Sequence, residues 1–255
     1  MSELMNNNSS PVSPMHLAVC ILHYGRPELT ARLHRQFLEA APSRAADILV
    51  LDNGAPEPYP DAWVRLPQNL YWAGAFAWAL DALSTAGYTH LWFCNNDMTF
   101  VSSPSFLEKI AIRCRWLEKR GRVGLISPSV TANPYHPQMV AVPGSQCRRV
   151  MYVDGIAPVV SLSAVADIGG LDVDDNPFGY GVDIWLSYRL GRAGWGVWVD
   201  DTVIIRHQYH TAARNQAGFL SHAAAAEDSY MTKRFGTDWK NTLEKLQTFI
   251  LQETL

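Results

Sequence analysis

Short apolar runs alternate with helical patterns through the first half of the chain, and this alternation limits the fold more than any other feature. Residues 16–22, 48–51 and 91–94 are apolar runs bounded by polar residues, as in strands buried on both faces of a sheet. Each run is followed by apolar residues at helical spacing, over residues 29–38, 73–86 and 105–119. Such alternation predicts a parallel, doubly wound α/β sheet with right-handed crossovers.

The second half of the chain is less regular, and its apolar runs predict shorter elements. Gly194 follows a helical pattern and suits the C-terminal cap of that helix. Strands are predicted at 123–127, 152–161, 195–199 and 203–205, with a short edge strand at 64–66. Helices are predicted at 183–192, 223–235 and 241–251.

Polar residues follow each strand predicted in the first half. His23 and Tyr24 follow the first strand, and Asp52 and Asn53 follow the second. The carboxyl ends of parallel strands meet at one edge of a sheet, where open α/β folds bind their ligands. The sequence therefore predicts a shared binding crevice at this edge.

The third strand ends in two amides and a carboxylate, and these residues support two interpretations. Oxygen donors such as those of Asn95, Asn96 and Asp97 suit Mg²⁺ or Mn²⁺, which commonly bridge a protein carboxylate to substrate phosphates. Asn and Asp are also typical of turns, because their side chains bond to the local backbone. The motif alone leaves the metal site and the turn equally open.

Composition limits the size of the domain and the partners that overall charge would attract. The chain has 255 residues, of which 48% are hydrophobic and 18% charged, so it has enough apolar material for one large domain or two small ones. A net charge of -3 supplies no basic field for nucleic acid, although an enzyme that acts on a nucleic-acid base stays open. A homodimer is also left open.

Cysteine spacing and the N-terminal residues predict the cellular compartment of the protein. The four cysteines are scattered without a C-x-x-C pair, which favours buried free thiols in a reducing compartment over zinc or disulfides. Residues 1–15 lack the apolar core of a signal peptide, and no apolar run has the ~20 residues of a transmembrane helix. We expect a cytoplasmic protein with a flexible N-terminal tail, and association with the inner membrane face stays open.

Five short motifs occur in order along the chain, and together they resemble the family 2 glycosyltransferases of the GT-A fold, in particular the rhamnosyltransferase-like branch. The similarity runs from about residue 17 to residue 210. The motifs are His23-Tyr24-Gly25-Arg26-Pro27-Glu28-Leu29, Leu51-Asp52-Asn53-Gly54-Ala55, Asn69-Leu70-Tyr71-Trp72-Ala73-Gly74-Ala75-Phe76, Phe93-Cys94-Asn95-Asn96-Asp97-Met98, and Gly169-Gly170-Leu171-Asp172 through Phe178-Gly179-Tyr180-Gly181-Val182-Asp183.

The resemblance implies a Rossmann-like, mostly parallel mixed sheet flanked by helices. It places the GT-A domain at residues 16–220, after the tail at 1–15, and packs the C-terminal helices of residues 221–255 on that domain. It also implies a site that binds a nucleotide-diphosphate sugar. The nucleotide-sugar-binding residues it implies are His23, Tyr24, Arg26, Asp52, Asn53, Asn69, Gly74, Asn95 and Asn96.

The resemblance further implies a metal ion and a catalytic base. Asp97 would hold Mn²⁺ or Mg²⁺, with His207 completing the metal shell. Asp183 matches the last carboxylate of the family's Glu-Asp pair and is the candidate general base, although an acid at a helix N-terminus is also favoured by the helix dipole. The chain departs from the family pattern at Val182 and Trp185, which stand where Glu and a second Asp are common.

Several further residues have a possible role that the resemblance defines less closely. Candidate diphosphate or acceptor contacts are Asp154, Trp185, His210 and Arg214, and the fallback carboxylates for the base are Asp172, Asp174 and Asp175.

The implied function is an inverting, metal-dependent transfer of a sugar to the hydroxyl of a glycan or lipid-linked acceptor, in the synthesis of surface polysaccharide or another glycoconjugate. Val182 and Asn95 keep open a nucleotide-sugar-binding protein that has lost its base. A nucleotidyltransferase would need a glycine-rich basic loop, and the segment around Gly25 is too short for one.

Overall fold

The computed structural model describes residues 15–208 and 218–248. Its helices in this part of the chain are α1 Pro27–Ala40, α2 Tyr71–Thr85, α3 Phe106–Glu118, α4 Leu162–Asp167, α5 Val182–Arg192, α6 Phe219–Phe235 and α7 Trp239–Thr248. The strands are β1 Leu17–His23, β2 Ile48–Asp52, β3 Val64–Arg65, β4 His90–Asn95, β5 Met98–Phe100, β6 Val123–Val130, β7 Cys147–Arg149, β8 Val159–Ser161 and β9 Gly196–His207.

One mixed sheet contains all of these strands, in the order β3-β2-β1-β4-β8-β6-β9-β5, with β7 paired to β9. The first four strands of the chain are mutually parallel, since β1 pairs with β2 and β4, and β2 pairs with β3. The prediction of a parallel first half is therefore confirmed, and so is the mixed sheet flanked by helices. The carboxyl ends of β1, β2 and β4 lie side by side.

Helix α1 illustrates how the apolar spacing of the sequence positions the helices. Pro27 occupies its first turn, where the missing amide proton has no intrahelical role. Leu29, Leu33 and Phe37 are buried on one stripe of the helix, which packs on β1 and β5. Burial of this stripe fixes the connection from the end of β1 to the start of β2.

The interior of β9 differs from the sequence prediction. Two strands were expected on either side of Asp200 and Asp201, whereas a single strand runs through both. Asp200 is buried and accepts hydrogen bonds from Thr202 and Arg113, and buried Asp201 pairs with Arg148. Both carboxylates therefore have partners, which lets the strand continue through two charged residues.

Several other boundaries also differ from the prediction. Residues 152–158 were expected to belong to a strand, but only Val159–Ser161 pairs with β4 and β6. The segments β5, β7 and α4 are too short for a periodic pattern, and the sequence did not predict them.

The helices α6 and α7 contribute to a second, smaller hydrophobic cluster beside the main core. Tyr230, Met231, Trp239 and Leu243 pack there with residues of α2 and α5. All four cysteines are buried. Among the residues described, none of the helices has the length and apolar character needed to cross a bilayer.

Candidate functional site

The carboxyl ends of β1, β2 and β4 open onto a cavity of about 750 Å³. This position confirms the crevice expected from the polar strand ends. The predicted site residues that line it are Tyr24, Asn53, Asn69, Asn95, Asn96, Asp97, Asp154, Asp183 and His207.

Asp97 and His207 meet at the edge of this cavity. Asp97 lies in the turn between β4 and β5, and His207 is the last residue of β9. The pairing of β5 with β9 sets Met98 opposite His207, so His207 Nε2 lies 2.9 Å from Asp97 Oδ1. Asn96 and Asp97 thus form a turn that also presents a carboxylate to the cavity, so the turn and a metal site are compatible interpretations of the motif.

The Asp97 and His207 pair fits a divalent cation of the type used with phosphates. Two adjacent ligands of an octahedral ion, each about 2.1 Å from it, are separated by about 3 Å, close to the separation seen here. The carboxylate oxygen of Asp97 is a ligand that suits Mn²⁺ and Mg²⁺, whereas an imidazole nitrogen is more typical of later transition metals. His207 Nε2 and Asp97 Oδ1 are hydrogen-bonded to each other here, and a cation bound to both would replace that bond. No group of three or more His, Cys, Asp or Glu within residues 15–208 and 218–248 could hold a metal ion, so phosphate oxygens and water would supply the other ligands.

Asn53 and Asn69 form a connected pair at the end of β2. Asn53 Nδ2 donates to Asn69 Oδ1 at 2.9 Å and to the Tyr71 carbonyl at 3.1 Å. Asn53 Oδ1 accepts from the Leu70 amide, and Asn69 Oδ1 accepts from the Tyr71 amide at 2.7 Å. These bonds fix the loop that leads into α2 against the cavity wall.

Two other strand-end residues lie in the layer beneath the cavity surface. Asp52 is fully buried and accepts from the amides of Ala55 and Tyr59 and from Arg65. His23 is also buried, and its Nε2 donates to the Glu57 carbonyl at 2.8 Å. In this structure Asp52 and His23 therefore hold the loops that carry the site.

Asp183 stands in the first turn of α5 and faces the cavity. Its Oδ2 accepts a 2.7 Å hydrogen bond from the Gly155 amide, and its Oδ1 accepts from the Ile184 amide. Burial, followed by the negative charge of Asp154, raises the pKa of Asp183 to about 8. A carboxylate with a pKa near the working pH is suited to accept a proton.

Val182 and Trp185 depart from the family pattern, and both lie in packed surroundings. Val182 is buried in the smaller hydrophobic cluster. Trp185 stacks on Tyr188, and its Nε1 donates to Asp172 at 2.9 Å. Neither residue lines the cavity described above.

The remaining candidates are placed as follows. Arg26 is the exposed N-terminal cap of α1, and Gly74 lies inside α2. His210 and Arg214 fall outside the described residues.

The far wall of the cavity consists of residues to which the sequence analysis gave no role of their own, although four of them lie inside two of the motifs. Burial lowers the pKa of His136, which lies beside Tyr152, and raises the pKa of Glu227 on α6. His136, Phe219 and Glu227 lie outside the motifs and in sequence resemble core or surface positions. The wall includes Tyr71, Trp72, His136, Phe178, Tyr180, Phe219, Glu227 and Trp239.

Sequence comparison finds relatives in Mycobacterium tuberculosis. An uncharacterized protein of that organism is 28% identical over 180 residues, which are 68% of each chain. An N-acetylglucosaminyl-diphospho-decaprenol L-rhamnosyltransferase is 33% identical over 97 residues, which are 38% of this chain and 31% of the enzyme. No protein-family model matches the chain.

Comparison with solved structures identifies the fold. GalNAc-T7, solved with UDP, GalNAc and Mn²⁺, superposes with a TM-score of 0.64 at 10% identity over 89% of this chain and 49% of its own. A mannosyltransferase from Pyrobaculum calidifontis, in complex with GDP-Man and Mn²⁺, gives 0.56 at 13% identity over 91% of this chain and 76% of its own. The chain thus spans about half the length of GalNAc-T7, and it has the GT-A fold of these glycosyltransferases, as the motifs predicted.

Proposed function

We propose that this GT-A-fold chain is an inverting, metal-dependent glycosyltransferase that moves a sugar from a nucleotide-diphosphate sugar to an acceptor hydroxyl. The observation that carries the proposal is the presence of the Asp97–His207 pair and of Asp183 around one cavity. The Asp97–His207 pair would bind a diphosphate through a cation. Asp183 would accept the proton of the incoming hydroxyl.

The strand ends would bind the donor. Asn53 after β2 and Asn69 before α2 line the cavity next to Tyr24 and Asn95. The side chain of Asn53 is bonded to residues 69–71, so it would shape the donor pocket by holding this loop. Asp97 and His207 would hold Mn²⁺ or Mg²⁺ at the diphosphate. When bound, the cation would neutralise the charge that develops on the departing diphosphate.

Asp183 would act as the base in a single displacement. The acceptor oxygen forms a bond to the anomeric carbon while the bond from that carbon to the diphosphate oxygen breaks. The proton of the acceptor hydroxyl passes to the Asp183 carboxylate, and the nucleoside diphosphate leaves with the bonding electron pair. Attack from the face opposite the leaving group inverts the anomeric carbon.

The relatives suggest the class of sugar and the setting. A rhamnosyltransferase relative favours a hexose or deoxyhexose donor and a glycan or lipid-linked acceptor, in polysaccharide or glycoconjugate synthesis. A mannosyltransferase with GDP-Man and Mn²⁺ among the solved neighbours agrees with this choice.

A panel of nucleotide sugars tests the proposal directly. Thermal unfolding is measured with UDP-glucose, GDP-mannose and dTDP-rhamnose, each with and without Mn²⁺, and beside the free nucleoside diphosphates. A ligand that binds only the folded state raises the unfolding temperature, so the donor should stand out in the presence of Mn²⁺. Release of nucleoside diphosphate on addition of acceptor glycans then separates turnover from binding. If no nucleotide sugar stabilises the protein, the proposal fails; if one binds without release, a binding protein is the better description.

A further inference from the structure

Tyr71 begins α2 in a backbone conformation that residues with a Cβ rarely adopt. Its φ is +55°, in the left-handed region that favours glycine. The Asn53 and Asn69 side chains hold it there, through hydrogen bonds to the Tyr71 carbonyl and amide. Backbone strain of this kind persists where the surroundings fix it, and it is concentrated at functional sites.

The ring of Tyr71 belongs to a cluster of half-buried aromatic side chains on the cavity surface. Its centroid lies 5.0 Å from that of Phe178 and 5.9 Å from that of Phe219, and the latter two rings are 5.4 Å apart. All three side chains line the cavity. We call Tyr71, Phe178 and Phe219 the aromatic wall.

We propose that the aromatic wall is a sugar-ring subsite, and that the ring of Tyr71 contacts the sugar. A half-buried aromatic ring in a cavity offers an apolar face, which matches the face of a pyranose that carries axial C–H bonds. The three rings are inclined to one another by 30°, 60° and 87°, so a pyranose would stack on one ring and contact the edges of the others. The wall comes from three separate parts of the chain, namely the start of α2, the loop before α5 and the start of α6. Its position next to Asn53 and Asn69 sets the ring beside the donor pocket.

The inference deepens the proposed function, because it names a sugar contact within the same cavity. Two sources could supply the pyranose: the donor sugar and the acceptor sugar. A nucleobase could also stack on aromatic rings, and the experiment below treats that result as contradicting the proposal.

The test compares Tyr71→Asn with Tyr71→Phe. Asn removes the ring and tolerates the left-handed conformation, whereas Phe keeps the ring. In the first measurement, the affinities for GDP-mannose and dTDP-rhamnose are compared with those for free GDP and dTDP. In the second, ligand-observed NMR detects the binding of methyl mannoside and methyl rhamnoside to protein saturated with each free diphosphate. Trp63→Asn is the matched control, since it removes a partly exposed ring outside the cavity.

A donor contact predicts that Tyr71→Asn weakens the bound nucleotide sugar about fivefold and leaves the free diphosphate unchanged. An acceptor contact predicts loss of the methyl glycoside signal instead. Tyr71→Phe and Trp63→Asn should resemble the wild type in both measurements. Equal weakening of the free diphosphate, or no change in either measurement, overturns the proposal.

A stability measurement separates binding from packing. Tyr71→Asn should unfold within about 4 °C of the wild type, because relief of backbone strain offsets the lost ring contacts. A fall of more than about 10 °C would make Tyr71 a core residue and overturn the proposal. Failure of the wild type to bind any nucleotide sugar contradicts the proposed function, whereas the methyl glycosides still test the aromatic wall in that case.

Discussion

The backbone amide of Gly155 donates a 2.7 Å hydrogen bond to Oδ2 of Asp183. This bond joins the segment before β8 to the first turn of α5, and Trp72 covers it from the side. A Cβ added at position 155 would lie 2.7 Å from Cζ2 of Trp72 and 3.2 Å from Oδ2 of Asp183. The absence of a side chain at Gly155 therefore allows the candidate base and the indole to approach the same backbone.

Gly155→Ala should lower turnover and destabilise the protein. The new methyl group forces Trp72 or the Asp183 carboxylate to move, and overpacking of this kind costs about 1–3 kcal/mol. Steady-state transfer rates and urea unfolding measure the two effects. Gly191→Ala on α5 is the matched control, because its Cβ would meet nothing within 4 Å. Wild-type turnover in Gly155→Ala would show that the position of Asp183 does not depend on this junction.

Asp183 should give the transfer rate a pH dependence that Asp154 modifies. The base must be ionised, and burial and the Asp154 charge raise the pKa of Asp183 to about 8, so kcat should rise with pH through that region. Asp154→Asn removes the neighbouring negative charge, lowers the pKa of Asp183 and moves the rise to lower pH. Profiles of kcat against pH test this shift. Asp81→Asn, at an exposed position on α2, should leave the profile in place; an unmoved profile in Asp154→Asn would contradict the coupling.

Asp183→Asn should abolish transfer and change how stability depends on pH. The pKa of Asp183 is raised in the folded protein, so the folded state keeps a proton that the unfolded chain releases near pH 4. That contribution is fully present below about pH 4 and is lost as pH rises to about 8. The free energy of unfolding of Asp183→Asn, relative to the wild type, should therefore increase between these pH values. A constant difference across the range would mean that the pKa is not raised.

The main strands were predictable because strands buried on both faces appear in the sequence as continuous apolar runs. The prediction for β4, for example, covered four of the residues that the structure assigns to His90–Asn95, and the polar end at Asp97 indicated the cavity. What a strand-end carboxylate faces was not predictable. Asp52 and Asp97 follow strands in the same way, yet Asp52 turns inward to two amides and Arg65, whereas Asp97 faces His207.

The far wall of the site was not predictable for a different reason. Tyr71 and Phe178 lie inside motifs and Phe219 does not, but none of the three was given a role, because only the packing of α2, a loop and α6 brings them together. The spacing of residues along the sequence does not predict such contacts between distant segments. The motif resemblance, rather than local pattern, selected Asp183 as the candidate base, and the structure places this residue on the cavity.

Asp97→Asn should remove metal-dependent ligand binding and leave the fold intact. An amide oxygen is a weaker ligand than a carboxylate, so Mn²⁺ should no longer increase the unfolding temperature in the presence of the nucleoside diphosphate. Thermal unfolding with Mn²⁺, with diphosphate and with both measures the effect, and donor release should fall in parallel. His207→Gln should show a smaller loss of the same kind. Asp81→Asn again serves as control, and full Mn²⁺ stabilisation in Asp97→Asn would contradict the metal role.

Arg148→Met should destabilise the protein strongly, because it leaves a buried carboxylate without its partner. Arg148 donates to both oxygens of Asp201, at 2.7 and 2.9 Å, and to the carbonyls of Gln138 and Val140. Both ions are nearly inaccessible, at 5% and 6% exposure, and removing one partner of such a pair costs about 3–5 kcal/mol. Thermal or urea unfolding measures this loss.

Arg122→Met is the matched control, because it removes an exposed ion pair and so shows how much of the stability loss in Arg148→Met is due to burial. Arg122 lies 2.8 Å from Asp167, but that pair is about half exposed and contributes little in water. The loss in Arg148→Met should therefore be several times larger. Because the buried pair anchors the segment that carries His136 to the cavity, Arg148→Met should also weaken nucleotide-sugar binding under conditions where it remains folded. Equal losses in the two variants would contradict the structural role of the buried pair.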